Sequence, residues 1–334
     1  MPETPIHALS RSGAQPKIAR FSRYVHSHEC LRATTKEGIF QELLNRIKDK
    51  KAPVLLPVDE DFVRILSSLK ERLEEHTFLP PMPCPDLLDS LVYKNKLDEL
   101  LDSNHFPCAV TYPLSRIEQS GLNDSFYPCL LKPVRGCSGQ GIVKVTERKL
   151  LAAHIRNINV DDYILQEFIP GLNIDCSLLA VDGEIKAFTI QKGLANTGFV
   201  FPTEIRFEFN KAVFSSVQRL IRITGYSGLA HLDFRLDERD GKPKLIDFNA
   251  RFWHSLLGSK MAGVDFALLY CFAAMGIPFD RPRFNENTYL MGRSSIRHHV
   301  LNAFRTSGPE KRLIATDFWD RLKDPLPEIM KGLE

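Results

Sequence analysis

The sequence predicts a mixed α/β protein, and three observations carry that prediction. Strand-like and helix-like patterns alternate over residues 6–76, strand texture takes over from residue 127, and Asp-Gly pairs punctuate the strand-rich part as hairpin turns.

Taken in order, the short apolar runs "IHAL" and "APVLLPV" read as buried parallel strands. Between them, "KEGIFQELLNRIKDK" sets Ile39, Phe40, Leu43, Leu44 and Ile47 at helical spacing. A second helical pattern, "EDFVRILSSLKERLEEH", follows "LLPVD". Strand–helix–strand–helix order implies a Rossmann-like parallel α/β unit over residues 1–84. Only five residues precede its first strand, so the unit reads as reduced or truncated. "LPPMPCP" (79–85) has four prolines in seven residues and reads as a connection. "LLDSLVYKNKLDELLDSNHFP" is helical to near Pro107. Strands follow in "YPCLLKPV", "QGIVKV", "YILQEFI" and "DCSLLAVDGEIKAFTI", with hairpin turns in "VDGE" and "ERDGKPK". Residues 286–334 read as a tail of short helices and loops ending in "DFWDRLKDPLPEIMKGLE".

Composition excludes several classes. The formal net charge is +3 and the 44 basic residues are dispersed, which argues against a nucleic-acid surface. No stretch approaches 18 apolar residues, so no membrane span is expected. The start, "MPETPIHALSRSG", lacks a basic segment followed by an apolar one. Seven cysteines without a CxxC pair fit reduced thiols in the cytoplasm. Cys137 reads as a small loop residue, since no histidine partner for a nucleophile is identifiable.

Two stretches carry chemistry. In "LKPVRGCSGQG" (131–141), Lys132 and Arg135 supply fixed charge, and Gly136, Gly139 and Gly141 let backbone N–H groups approach an anion. The alternative is a flexible hairpin tip with solvated bases. In "HLDFRLDERDGKPKLIDFNARFWHS" (231–255), Asp233 and Asp247 lie fourteen positions apart around Asp240-Gly241. Antiparallel pairing would set their carboxylates side by side, with Asn249 on the same face and Arg251 continuing it. Such hard oxygen donors suit Mg²⁺, and the arginine suits phosphate or carboxylate. Without metal, deleting one of the acids is expected to relieve repulsion.

The order of the "LLKP…SGQG" loop, the "LQEFIPG" strand end and the "LIDFNAR" strand resembles the ATP-grasp superfamily, nearest its carboxylate–amine ligase and carbamoyl-phosphate-synthase-like branch. The resemblance covers roughly residues 85–280. It implies an ATP-grasp fold of two α+β subdomains clamping ATP over residues 85–285, with a lid at about 110–165. It also implies roles. Lys132 matches a phosphate contact, as does Lys94, with Lys96 its rival, and the loop holding Arg135, Gly136, Ser138, Gly139 and Gly141 matches the mobile lid over the phosphates. Glu167 with the backbone of Phe168 and Ile169 matches the adenine-reading segment, and Asn173, with Asp175 as rival, falls near the ribose-binding acid. Asp233, Asp247 and Asn249 match the Mg²⁺ set, for one or two ions or Mn²⁺ instead; the family more often has Glu at the place of Asp247. Arg251 matches the residue that steadies the transferring phosphoryl group, so Arg251 and Lys132 carry the catalysis. His254 and Arg206 are weaker candidates for facing a substrate.

The activity implied is ATP-dependent ligation: a carboxylate is activated as an acyl phosphate and captured by an amine, giving ADP and phosphate. Small molecules are the expected partners, with neither nucleic acid nor membrane, and the chain acts alone or as a homodimer. A non-catalytic nucleotide-binding module and an ATP-dependent phosphotransferase are the alternatives.

Overall fold

The computed structural model describes residues 4–11, 18–117, 122–136, 139–156, 158–194, 202–303 and 314–331. Strands β1 (Ile6–Arg11) and β2 (Val25–Leu31) pair in parallel as a two-stranded sheet. The second strand was expected at "APVLLPV", but there Val54 only bridges to Phe78 and Leu55 N–H donates to the Phe78 carbonyl. Pro53 and Pro57 remove two backbone donors from that run. The true second strand, "VHSHECL", is half polar and shows no apolar run.

Helix α1 (Lys36–Ile47) starts at Thr35, whose hydroxyl accepts from Gly38 N–H. It buries Ile39, Phe40, Leu43 and Ile47, with Leu44 half-buried against the same core. The next helical pattern divides at Leu69 into α2 (Glu60–Ser68), capped by Asp59, and α3 (Lys70–Leu73). After the proline-rich connection come α4 (Pro85–Val92) and α5 (Lys94–Ser103), separated by an extended Tyr93.

Strands β3 (Thr111–Pro113), β4 (Cys129–Pro133) and β5 (Val143–Val145), helix α6 (Arg148–Ile155) and strand β6 (Tyr163–Glu167) follow. The four strands form an antiparallel sheet in the order β3-β6-β4-β5. One face buries Cys129, Leu131, Val145 and Leu165 against Leu151 of α6. The alternation of a strand then turns Leu130, Lys132, Lys144 and Gln166 to the other face.

The larger sheet begins with β7 (Gly171–Val181), β8 (Glu184–Gly193) and β9 (Glu204–Phe207). After α7 (Lys211–Thr224) it adds β10 (Gly228–Asp237) and β11 (Pro243–Asn249). Helices α8 (Leu256–Met261) and α9 (Phe266–Ala274) lead to β12 (Asn287–Leu290), α10 (Arg293–Ala303), β13 (Ile314–Thr316), α11 (Phe318–Lys323) and α12 (Leu326–Lys331). The seven strands run β11-β10-β7-β8-β9-β12-β13, antiparallel except for the last pair. The tail therefore supplies two strands to the main sheet, where helices and loops alone were expected.

Turn chemistry behaves as the Asp-Gly signals imply. Asp182 and Gly183, between β7 and β8, both have positive φ (49° and 78°), as a two-residue hairpin turn requires. Helix α7 is capped by Asn210, buries Val213, Val217, Leu220 and Ile221, and ends on left-handed Gly225 (φ 61°). A Cβ at Gly225 would meet nothing within 4 Å. Gly225→Ala is thus expected to cost only the backbone strain, about 1 kcal/mol, seen as a lower urea midpoint at unchanged slope.

Candidate functional site

Between the polar face of the four-stranded sheet and the β7-β10-β11 end of the large sheet lies a cleft of about 350 Å³. The floor is built by register. Asp175 on β7 faces Asp233 on β10, which faces Asp247 on β11, so three carboxylates form one row on one side of the sheet. Ser177, His231 and Asn249 form the neighbouring row. Ile246 is left over as a bulge in β11 and also lines the cleft.

Cations meet this row. Lys94, at the start of α5 and 7% exposed, places Nζ 3.2 Å from Asp247 Oδ2. Arg251, just past β11, donates from Nη2 to Asn249 Oδ1 at 2.9 Å, and its Nε lies 3.6 Å from Glu60 of α2. Burial pushes the Glu60 carboxyl pKa up, against the pull of Arg251. Across the cleft Lys132, 4% exposed, donates to Gln166 Oε1 at 2.5 Å, while Gln166 Nε2 donates to Thr111 Oγ1 at 3.2 Å. Burial pushes the Lys132 pKa down to about 8, since neither Asp247 nor Asp233 offsets the full loss of solvent.

His231 is buried, with Nε2 3.1 Å from Asp233 Oδ1 and Nδ1 2.8 Å from Ser177 Oγ. Burial disfavours its charge, but the adjoining Asp233 outweighs that and raises the histidine pKa. Asp175, held by Gln191 Nε2 at 3.3 Å, is pushed up to about 7 by burial and by Asp233.

Of the residues singled out from sequence, Lys94, Lys132, Gly136, Gly139, Glu167, Phe168, Ile169, Asn173, Asp175, Asp233, Asp247, Asn249 and Arg251 all line this cleft. Glu167 is engaged by Arg239 and by Val110 N–H, and Asn173 Oδ1 accepts from Arg235 at 2.6 Å. Other candidates sit apart from the cleft. Arg135 turns away to Asp61 (3.2 Å) and lies over the Tyr93 ring, because that ion pair is within reach from the start of the loop. Gly141 packs against Pro133 rather than lining the cleft. Lys96 is exposed beside Tyr93, on the opposite side of α5 from Lys94. Arg206 pairs with Glu208 at 3.4 Å, and His254 is exposed while its neighbour Trp253 lines the cleft. Ser138 and Cys137 lie outside the described residues.

Sequence reasoning missed His231, Arg235, Gln166, Lys144 and Glu60. His231 and Arg235 flank Asp233 at a spacing of two, so strand periodicity could have found them. Lys144 and Gln166 share the face of Lys132 for the same reason. Glu60 carries no local signal, being brought in by the N-terminal unit.

Residues 93–255 match the ATP-grasp domain family. A D-aspartate ligase of Enterococcus faecium is 22% identical over 310 residues, 81% of this chain and 70% of its own length. Among solved structures, an L-amino acid ligase from Bacillus licheniformis superposes with a TM-score of 0.61 at 21% identity, over 77% of this chain and 64% of that one. An N5-carboxyaminoimidazole synthetase from Staphylococcus aureus, complexed with ADP, gives 0.67 at 13% identity over 89% and 79%. These structural likenesses establish the fold.

Proposed function

We propose, from the premise that the chain belongs to the ATP-grasp superfamily, that it is an ATP-dependent ligase joining a carboxylate to an amine. The observation that carries this reading is the pairing of two buried lysines with a row of three acids across one cleft. Lys132 is a buried ammonium that donates to the neutral amide of Gln166, and a bound polyphosphate would compensate it. The strand end at Glu167–Ile169 offers backbone groups to an adenine edge; the Glu167 side chain is already engaged by Arg239.

Asp233, Asp247 and Asn249 would hold Mg²⁺. They fit: their side chains are neighbours across β10 and β11 and offer hard oxygen donors, and Lys94, 3.2 Å from Asp247, would share that carboxylate with the ion. When bound, the metal would offset charge on the phosphates. The chain's own residues do the rest. Lys94 and Lys132 bind and orient the phosphates, and Arg251 is placed by Asn249 and Glu60 to steady the oxygens around the transferring phosphorus. The substrate carboxylate attacks the γ-phosphorus and releases ADP; the amine then attacks the acyl carbon and releases phosphate.

No protein nucleophile is required. Ser177, His231 and Asp233 form a hydrogen-bonded chain, but Ser177 is fully buried and only orients the imidazole. Burial pushes the Cys108 and Cys129 thiols up to about 11, away from thiolate chemistry. Free cysteines among the described residues fit a reducing cytoplasm, and no described helix is long and apolar enough to cross a membrane. The names of the ligase relatives support an amino acid as one substrate.

Mg-ATP is expected to raise the melting temperature by several degrees, since ligand at about 100 times its Kd adds about 2.7 kcal/mol. Mg-GTP should do so much less. An unmoved transition at saturating Mg-ATP would remove the nucleotide from this reading. The acyl-phosphate route is tested with a carboxylate carrying heavy oxygen, where one labelled atom per turnover should appear in phosphate. Label retained wholly in the product would contradict it.

A further inference from the structure

One ligand atom each from Asp175, His231 and Asp233 lies within 4.8 Å of the others. Asp175 faces Asp233 across β7 and β10, and His231 precedes Asp233 by one strand period, so all three line the same cleft. This set differs from the hairpin acids in having a nitrogen donor. It also differs in what surrounds it: Asp247 has Lys94 at 3.2 Å, and the Asn249 oxygen accepts from Arg251.

A second observation concerns the outer partners. Ser177, fully buried, sits 2.8 Å from His231 Nδ1, and the Trp253 ring stacks on the imidazole at 5.7 Å with 12° between planes. Nε2 is thereby aimed at Asp233. Gln191 holds Asp175 at 3.3 Å and itself accepts from Ser255 at 2.6 Å; Asn249 donates to Asp233 Oδ2 at 3.2 Å. Imidazoles and carboxylates that bind metal are held by such outer hydrogen bonds. Two neighbouring carboxylates, one of them 6% exposed, also call for compensating positive charge, of which His231, Arg235 and Arg251 supply a part.

We propose that Asp175, His231 and Asp233 bind one divalent cation of borderline softness, of the Mn²⁺, Co²⁺ or Zn²⁺ class, at a site present without nucleotide. A nitrogen donor beside two carboxylates favours such ions over Mg²⁺, which prefers oxygen and water. The site does not depend on the ligase reading.

The test uses the full chain, stripped with chelator, free of nucleotide and titrated with MnCl₂ while free Mn²⁺ is followed by electron paramagnetic resonance. One Mn²⁺ per chain should bind, at least about ten-fold tighter than Mg²⁺ in competition. Spin-echo spectra of the wild-type Mn²⁺ form should show nitrogen coupling from a directly bound imidazole, a readout needing no variant. His231→Gln should abolish that coupling and weaken binding about 100-fold, and Ser177→Ala about ten-fold. Asp247→Asn should weaken Mn²⁺ binding clearly less than His231→Gln does, because Asp247 supplies no ligand and acts only through its charge beside Asp233. Absence of Mn²⁺ binding, absence of nitrogen coupling in the wild type, or binding lost in Asp247→Asn and kept in His231→Gln would each overturn the proposal.

Discussion

Lys132→Met is expected to lower ATP-dependent turnover about 100- to 1000-fold while leaving the fold intact. The side chain is 4% exposed and aimed by Gln166 into the cleft, so no solvent cation replaces it when the phosphates develop charge. For stability two effects oppose each other. Removing a buried ammonium relieves its desolvation, whereas Gln166 Oε1 loses its donor, at about 1–3 kcal/mol. The melting temperature should therefore shift by only a few degrees. The pH dependence is more telling. Lys132 has a pKa of about 8 in the folded chain against 10.5 unfolded. Its cost to the native state is full below pH 8 and fades as pH rises towards 10.5. Relative to the variant, the parent should gain stability across that window, measured by urea midpoints at both ends. A constant difference would show that Lys132 is not charged and buried in the native state.

Asp247→Asn is expected to cut turnover roughly 100-fold and also to destabilise the nucleotide-free protein. The second part reverses what spacing alone implies. Two adjacent acids suggest repulsion that the amide would relieve, but Lys94, 7% exposed, already compensates Asp247 at 3.2 Å. Removing one partner of a fully buried pair costs about 3–5 kcal/mol. Asp247 keeps 19% exposure and the amide keeps an acceptor oxygen, which brings the expected loss to about 1–3 kcal/mol. Calorimetry of the metal-free variant beside its parent measures this, and equal melting temperatures would show that the Lys94–Asp247 pair contributes nothing.

Much of the cleft was legible because it is written in short-range patterns. The Asp240-Gly241 turn and a spacing of fourteen put Asp233 opposite Asp247, as the register has it. Period two put Asn249 on the same face. Where the pattern was read too narrowly, residues were lost: the same period carries His231 and Arg235, and pairing with β7 brings Asp175 into the acid row rather than leaving it as a rival to Asn173. Long-range packing hid the rest. Nothing near Glu60 foretells its approach to Arg251, nor anything near Arg135 its turn towards Asp61. β2 escaped because a half-exposed parallel strand has no apolar run, while a proline-flanked run imitated one.

Activation of a carboxylate by ATP, for capture by an amine, is the work proposed for this cleft. ADP release measured over a panel of amino acids and small carboxylates, singly and in pairs, tests it most directly. One pair should release ADP far in excess of the sum of its members alone, with phosphate and amide formed in equal amounts. A phosphorylated product made from one substrate alone, or Mg-ATP bound tightly with no ADP released from any pair, would contradict it.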